Sequence, residues 1–327
     1  MRTVRLGSSG LELSAVVLGM MSYGDPAKGS HAWSVGLDEA RPFVRRAYEA
    51  GITTFDTANV YSLGSSEEIT GTLLREIAPR EELQIATKVH GRMRDARNGG
   101  GLSRAAIMHE IDASLQRLGT DYVDLYQIHR FDPRTPVEET MEALHDVVKA
   151  GKARYLGASS MWAWQFAQLQ HTAELHGWTR FVSMQDQYNL LEREEEREMH
   201  PFCRATGVGV LPWSPLARGR LTRPWGAAGS GTRESTDAFG QGLYTQDVAA
   251  NRAIVDAVAA VADERGVPMA QVALAWVAGR PAVTAPIVGA TREQHIDDAA
   301  AAADLDLTDE EVRRLEEVYT PRNPSGF

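Results

Sequence analysis

Four polar side chains stand where short apolar segments end. Asp56 closes Ile52-Thr53-Thr54-Phe55-Asp56 and Tyr61 lies just beyond it, Lys88 ends Gln84-Ile85-Ala86-Thr87-Lys88, and His129 ends Val123-Asp124-Leu125-Tyr126-Gln127-Ile128-His129. Taken one at a time, each has an ordinary structural reading, as a solvated rim charge or a core residue with a satisfied polar tip. Together they make an acid–base set. A phenol titrates at about 10 and is a weak acid at neutral pH, but a neighbouring ammonium favours its ionised form. A carboxylate such as Asp56 would fix that ammonium by an ion pair, and an imidazole would orient the oxygen receiving the proton. The chemistry within reach is proton donation to an oxygen on which negative charge develops.

The elements that must position these groups follow from apolar periodicity. Val4 to Leu6 and Leu11 to Leu13 flank the turn Gly7-Ser8-Ser9-Gly10 and read as a hairpin plugging the bottom of the main fold. Strands are expected at 15–18, 52–56, 84–89, 123–129, 155–158, 181–184, 209–211 and 283–288. Between them run amphipathic helices with stripes such as Val44, Ala47 and Tyr48, or Ile69, Leu73 and Ile77. A third stripe, Ile107, Ile111, Leu115 and Leu118, stops at Gly119, and a fourth comprises Val137, Met141, Leu144 and Val148. Ser65-Ser66-Glu67-Glu68 and Thr135-Pro136-Val137-Glu138 have capping-box spacing.

This alternation predicts an α/β fold, a (β/α)8 TIM barrel occupying 1–327 as one domain, with a long loop after strand 7. The rival, a doubly wound sheet, would normally carry Gly-x-Gly-x-x-Gly after a strand, and the chain has none. Ser22 to Gly36 is long for a βα connection, and Ala217 to Asp247, rich in Gly, Arg, Ser and Thr, reads as a mobile flap.

Composition narrows the function. The 327 residues are 43% hydrophobic and 24% charged, as in an ordinary globular protein, and the formal net charge of -10 argues against nucleic acid and anionic membranes. Cys203 is the only cysteine, so neither an intrachain disulfide nor a cysteine metal site is expected. No signal peptide or apolar run of about 20 residues appears, so the expected location is cytoplasmic. Glu192 to Glu198 reads as a solvated helix face. His31, His90, His109, His145, His171, His176, His200 and His295 lack metal-binding spacing, and no metal is expected.

With their flanking residues, Asp56, Tyr61, Lys88 and His129 resemble the catalytic tetrad of the aldo-keto reductases. The resemblance runs from Gly19 through Trp213-Ser214-Pro215-Leu216 to the final helices. It implies NADPH-dependent reduction of small aldehydes or ketones, with Tyr61 as proton donor. It further implies that Ser159, Ser160 and Gln185 meet the nicotinamide carboxamide, although many relatives have Asn or Arg at the position of Ser160. Trp213 would carry the nicotinamide ring, with ordinary aromatic packing as the alternative. Ser214, Pro215, Leu216, Arg218, Gly219 and Arg223 would line the pyrophosphate path, and flap ordering would be coupled to cofactor because Arg218, Arg220 and Arg223 gain partners there. Gly289, Thr291, Arg292 and Gln294 would open a helix that receives the adenosine 2′-phosphate, although Thr291 and Gln294 also have capping-box spacing. Asp297 and Asp298 stand where many relatives carry Glu-Asn against adenine. Tyr23, Trp33 and Trp162, with the loop from His90 to Arg94, are expected pocket walls. The alternative is a nicotinamide-binding regulatory subunit, as in the potassium-channel β-subunits that share this fold; homo-oligomerisation stays open.

Overall fold

A computed structural model of the chain describes residues 1–29, 32–227, 237, 242–244 and 247–324. Apolar strands with helices between them should close into a barrel, and they do. The strands are β3 (Val17–Gly19), β4 (Thr54–Asp56), β5 (Gln84–Val89), β6 (Val123–Ile128), β7 (Ala153–Ser159), β8 (Phe181–Gln185), β9 (Gly209–Val210) and β10 (Ile287–Val288). They form one parallel sheet in the order β10-β3-β4-β5-β6-β7-β8-β9. Its two ends meet through a parallel bridge between Val210 and Val283, with Thr284 N–H donating to Val210 O at 2.8 Å and Ile287 N–H to Pro212 O at 2.9 Å. The last strand is shorter than the 283–288 expected, because Pro286 has no N–H to give to a ladder.

The bottom of the barrel is plugged as expected. β1 (Thr3–Arg5) pairs antiparallel with β2 (Glu12–Ser14), and Leu6, Leu11 and Leu13 bury themselves against Val17, Ala86, Leu125, Leu211, Ala285 and Ile287. The turn fits only because Gly7 has φ +56 and approaches Gly207 so closely that a Cβ would lie 2.3 Å from its carbonyl oxygen.

The outer layer comprises α1 (Leu37–Glu49), α2 (Ser65–Ile77), α3 (Arg104–Leu118), α4 (Val137–Lys149), α5 (Ala163–His176), α6 (Met199–Thr206), α7 (Val248–Arg265), α8 (Met269–Ala278), α9 (Glu293–Ala302) and α10 (Asp309–Glu316). The predicted stripes face the core, and on α4 a fully buried Val147 joins the half-buried Val148. The two capping boxes are not made. Gly64, at φ 93, precedes α2, and the Ser65 hydroxyl donates instead to Ser62 O at 3.0 Å. Pro136 precedes α4, and the Thr135 hydroxyl donates to Asp132 Oδ2 at 3.0 Å.

Helices α7 and α8 had no sequence stripe to reveal them. Every residue of α8 from Met269 to Val277 except Gln271 is buried, so this helix is apolar nearly all round. The two helices cover a second core containing Tyr188, Leu190, Leu191, Leu221 and Tyr244.

Glu192 to Glu198 is not a solvated helix face. Glu194–Glu196 is one 3₁₀ turn, and Glu192, Glu194 and Glu195 are buried. Glu194 is compensated by neighbouring Arg197 and, from the far end of the chain, by the Tyr319 hydroxyl at 2.7 Å and Arg322 N–H at 2.8 Å. About half of the expected flap, residues 228–236, 238–241 and 245–246, lies outside the described residues. Among the described residues, no helix is long and apolar enough to cross a membrane.

Candidate active site

The parallel register brings the strand ends together: Asp56 lies opposite Ala86, and Lys88 opposite Gln127. The Lys88 side chain is fully buried and forms an ion pair with Asp56. Its Nζ also donates to Thr57 O at 2.9 Å and reaches the Tyr61 hydroxyl at 3.4 Å. Burial opposes the charge on Lys88, but the Asp56 carboxylate and then the Tyr61 hydroxyl outweigh it and raise the ammonium above the ordinary lysine range.

Tyr61 is presented by a tight turn in which Ser62, Leu63 and Gly64 all have positive φ. The imidazole of His129 meets the Tyr61 ring edge-on, with centroids 5.7 Å apart at 81°. All four residues named from the sequence therefore converge at the C-terminal ends of β4, β5 and β6. Gln127 was missed. Its Nε2 donates to Asp56 Oδ2 at 2.9 Å, so one carboxylate oxygen serves Lys88 and the other serves amides. A polar residue two positions before His129, on the same strand face, was the available signal.

A second ring of buried polar groups supports this set. Thr87 Oγ1 and Arg117 Nε donate to the two oxygens of Glu67 at 2.5 and 2.6 Å. Asn59 Nδ2 donates to Glu110 at 3.1 Å. Burial pushes the Glu67 carboxyl up, and Arg117 acts against that shift.

The expected nicotinamide residues border the same cluster. Gln185 Nε2 donates to Asp56 Oδ2 at 3.0 Å and to Gln127 Oε1 at 3.2 Å, which leaves its own carbonyl oxygen as an acceptor. The Ser159 hydroxyl is buried 3.3 Å from that of Ser160, and Trp213 Nε1–H donates to Ser160 Oγ at 3.0 Å. Ser160 thus holds the indole, and the ring of Trp213 is half-exposed instead of packed in the core. A half-open aromatic face beside an amide acceptor and a hydroxyl suits a flat ring bearing a carboxamide.

Beyond β9 the backbone turns left-handed at Ser214, Ala217 and Arg218, and Gly219 has φ 90. Ala217, Arg218 and Gly219 are consecutive, and the N–H groups of Ala217, Gly219 and Arg220 donate to Ser214 O, Leu216 O and Ala217 O at 2.9, 2.9 and 3.2 Å, closing a tight turn. Pro215 is buried and Leu216 half-buried in this stretch. The arginines differ from expectation because they already have partners. Arg218 pairs with Asp237, Arg223 donates to Gly219 O and Ala227 O, each at 3.2 Å, and Arg220 lies over the Tyr244 ring at 5.6 Å.

Gly289 follows β10 beside Ser22. Arg292 is the N-cap of α9, extended and without a side-chain cap. The Thr291–Gln294 box is not made: Thr291 N–H donates to His295 Nδ1 at 3.3 Å, and Gln294 donates to Asp298 at 3.0 Å. Asp297 pairs with Arg46 at 2.7 Å, while Asp298 is buried and also accepts from Gln271 at 2.9 Å. The expected walls divide. Trp162 is 45% exposed, whereas Trp33 is buried and Tyr23 is fully buried, its hydroxyl donated to Ala290 O at 2.8 Å. Tyr23 is therefore a core residue holding α1 and the 290 loop together, and it walls no accessible surface. Among the described residues, no group of His, Cys, Asp or Glu could hold a metal ion.

Comparison with known proteins agrees with this geometry. Residues 15–320 match the model of the aldo/keto reductase family. The chain is 47% identical over 341 residues to versiconal hemiacetal acetate reductase of Aspergillus parasiticus, covering 98% of each chain. It is 45% identical to an aldo-keto reductase of Alternaria alternata, over 98% of this chain and 92% of that one. To an aldo-keto reductase of Metarhizium robertsii it is 43% identical, over 99% of this chain and 92% of that one.

Proposed function

Because the chain belongs to the aldo/keto reductase family, we propose that it reduces an aldehyde or ketone to the alcohol with NADPH, Tyr61 donating the proton. The observation that carries this reading is the fully buried Lys88 between the Asp56 carboxylate and the Tyr61 hydroxyl. When bound, the cofactor supplies hydride to the carbonyl carbon. Everything else falls to the chain. Tyr61 donates to the oxygen as negative charge develops there, and Lys88 stabilises the phenolate left behind. His129, edge-on to Tyr61, orients that oxygen, while Asp56 with its two glutamine amides keeps Lys88 charged and fixed.

Ser159, Gln185 and Trp213 hold the nicotinamide in this proposal, Ser160 acting through Trp213. The tight turn at 214–219 lines the pyrophosphate path in this reading. The uncapped N-terminus of α9 with Arg292 favours the 2′-phosphate, hence NADPH over NADH. A single domain and a cytoplasmic location complete the reading; the acidic balance and one buried cysteine support them. The test is cofactor absorbance across a panel of aldehydes and ketones, with NADPH and NADH compared. Turnover of no member of the panel by either cofactor would overturn it.

A further inference from the structure

Arg130 follows His129 at the mouth of the barrel and is half-buried there. It donates from Nη1 to the backbone carbonyl of His129 at 3.0 Å, and among the described residues no carboxylate pairs with it. A guanidinium carries five N–H donors and stays charged, so most of its hydrogen-bonding capacity is unspent.

The obvious partner, Asp132, is committed elsewhere. Its carboxylate accepts from Leu102 N–H at 2.9 Å, Arg134 N–H at 3.0 Å and the Thr135 hydroxyl at 3.0 Å, and faces Arg134 Nε at 3.5 Å. Those bonds pin the loop that bears Arg130. Burial lowers its guanidinium from the ordinary arginine range, while Tyr61 acts in the opposite sense. His90, held below its usual range by burial, feels Arg130 and Arg134 as further cations. The next residue, Phe131, meets Trp164 edge-on at 6.2 Å, and Trp164 and Trp162 are 62% and 45% exposed. This side of the mouth therefore combines an under-used cation with exposed aromatic surface, on a protein whose overall charge is negative.

We propose that Arg130 anchors a carboxylate on an aryl aldehyde or ketone, and so selects anionic aromatic substrates over neutral ones. This rests on the reductase reading above and deepens it to a substrate class. A charge-assisted bidentate bond would form between the guanidinium and the carboxylate, with the aryl ring against the indoles and the carbonyl towards Tyr61.

The test compares 4-carboxybenzaldehyde with its methyl ester, which keeps ring and aldehyde but loses the charge, in the unmodified protein, Arg130→Gln and Arg130→Lys. The expected result is a kcat/KM ratio favouring the carboxylate by roughly tenfold to a hundredfold, carried mainly in KM. Arg130→Gln should abolish that ratio, and Arg130→Lys should retain part of it. A second arm measures benzoate and benzamide binding calorimetrically with oxidised cofactor present. Benzoate should bind more tightly in the unmodified protein and lose that advantage in Arg130→Gln. Reduction of the ester with no preference for the carboxylate would overturn the anchor and leave the reductase reading standing. If neither aldehyde turned over, the reductase reading would fail, and benzoate selectivity would still decide for or against the anchor.

Discussion

Two places in this molecule bury acidic groups in quantity, and they do so in opposite ways. At the end of β4, Asp56 lies beside a buried ammonium and two amides, and every oxygen has a donor. After β8, Glu195 is buried beside Asp186, Glu192 and Glu194, and no cation or donor reaches its carboxyl among the described residues. Burial and then those like charges hold the Glu195 carboxyl well above the carboxylate range. Asp186 nearby keeps one oxygen on His200 at 2.9 Å and the other without a hydrogen-bond partner. One site pairs its buried carboxylate with a cation; at the other, burial and like charges favour the protonated carboxyl. The first arrangement holds a cation ready for chemistry; the second costs stability as soon as the proton leaves.

The sharpest way to break the comparison is Lys88→Met, which leaves Asp56 buried without its cation. Loss of about 3–5 kcal/mol in denaturant unfolding is expected, with carbonyl reduction falling below detection. Stability close to the unmodified protein would mean that the pair is not the organising feature of this end of the barrel. A smaller effect is expected for Arg292→Ala, which should weaken NADPH by about tenfold while NADH changes little, since only the 2′-phosphate loses a partner. Titration of both cofactors on both proteins decides it.

Glu195→Gln sharpens the contrast, because it removes an ionisation without changing shape. The folded-state pKa is raised, so the stabilisation is complete below the ordinary carboxylate value, about 4.3, and is lost as pH rises towards the folded value. The variant should therefore match the parent near pH 4 and melt a few degrees higher at neutral pH. A lower melting temperature at neutral pH would show that Glu195 is ionised and paired after all.

The same contrast explains what could be read from the sequence. The tetrad was legible because each member ends a strand or, like Tyr61, follows one directly, and a barrel gathers strand ends at one face. Gln127, and the bonds of Gln185 to Asp56, needed the barrel's curvature to bring β4, β6 and β8 together. The glutamate run misled because polarity argues for solvent locally, whereas Tyr319 and Arg322, far along the chain, supply the compensation for Glu194. Helix α8 left no periodic trace because it is buried on all sides. The unmade capping boxes at Ser65 and Thr135 show tertiary partners outcompeting local ones. The tied arginines 218 and 223 reflect acceptors within their own loop that composition alone could not reveal.

The most direct measurement is steady-state carbonyl reduction by Tyr61→Phe, with NADPH affinity determined in parallel. Removing one hydroxyl should leave cofactor binding and the melting temperature near those of the unmodified protein and lower kcat by about 10²-fold or more, because only the proton donor is gone. Activity within a few-fold of the unmodified protein, with NADPH still bound, would contradict the assignment of Tyr61 as the acid.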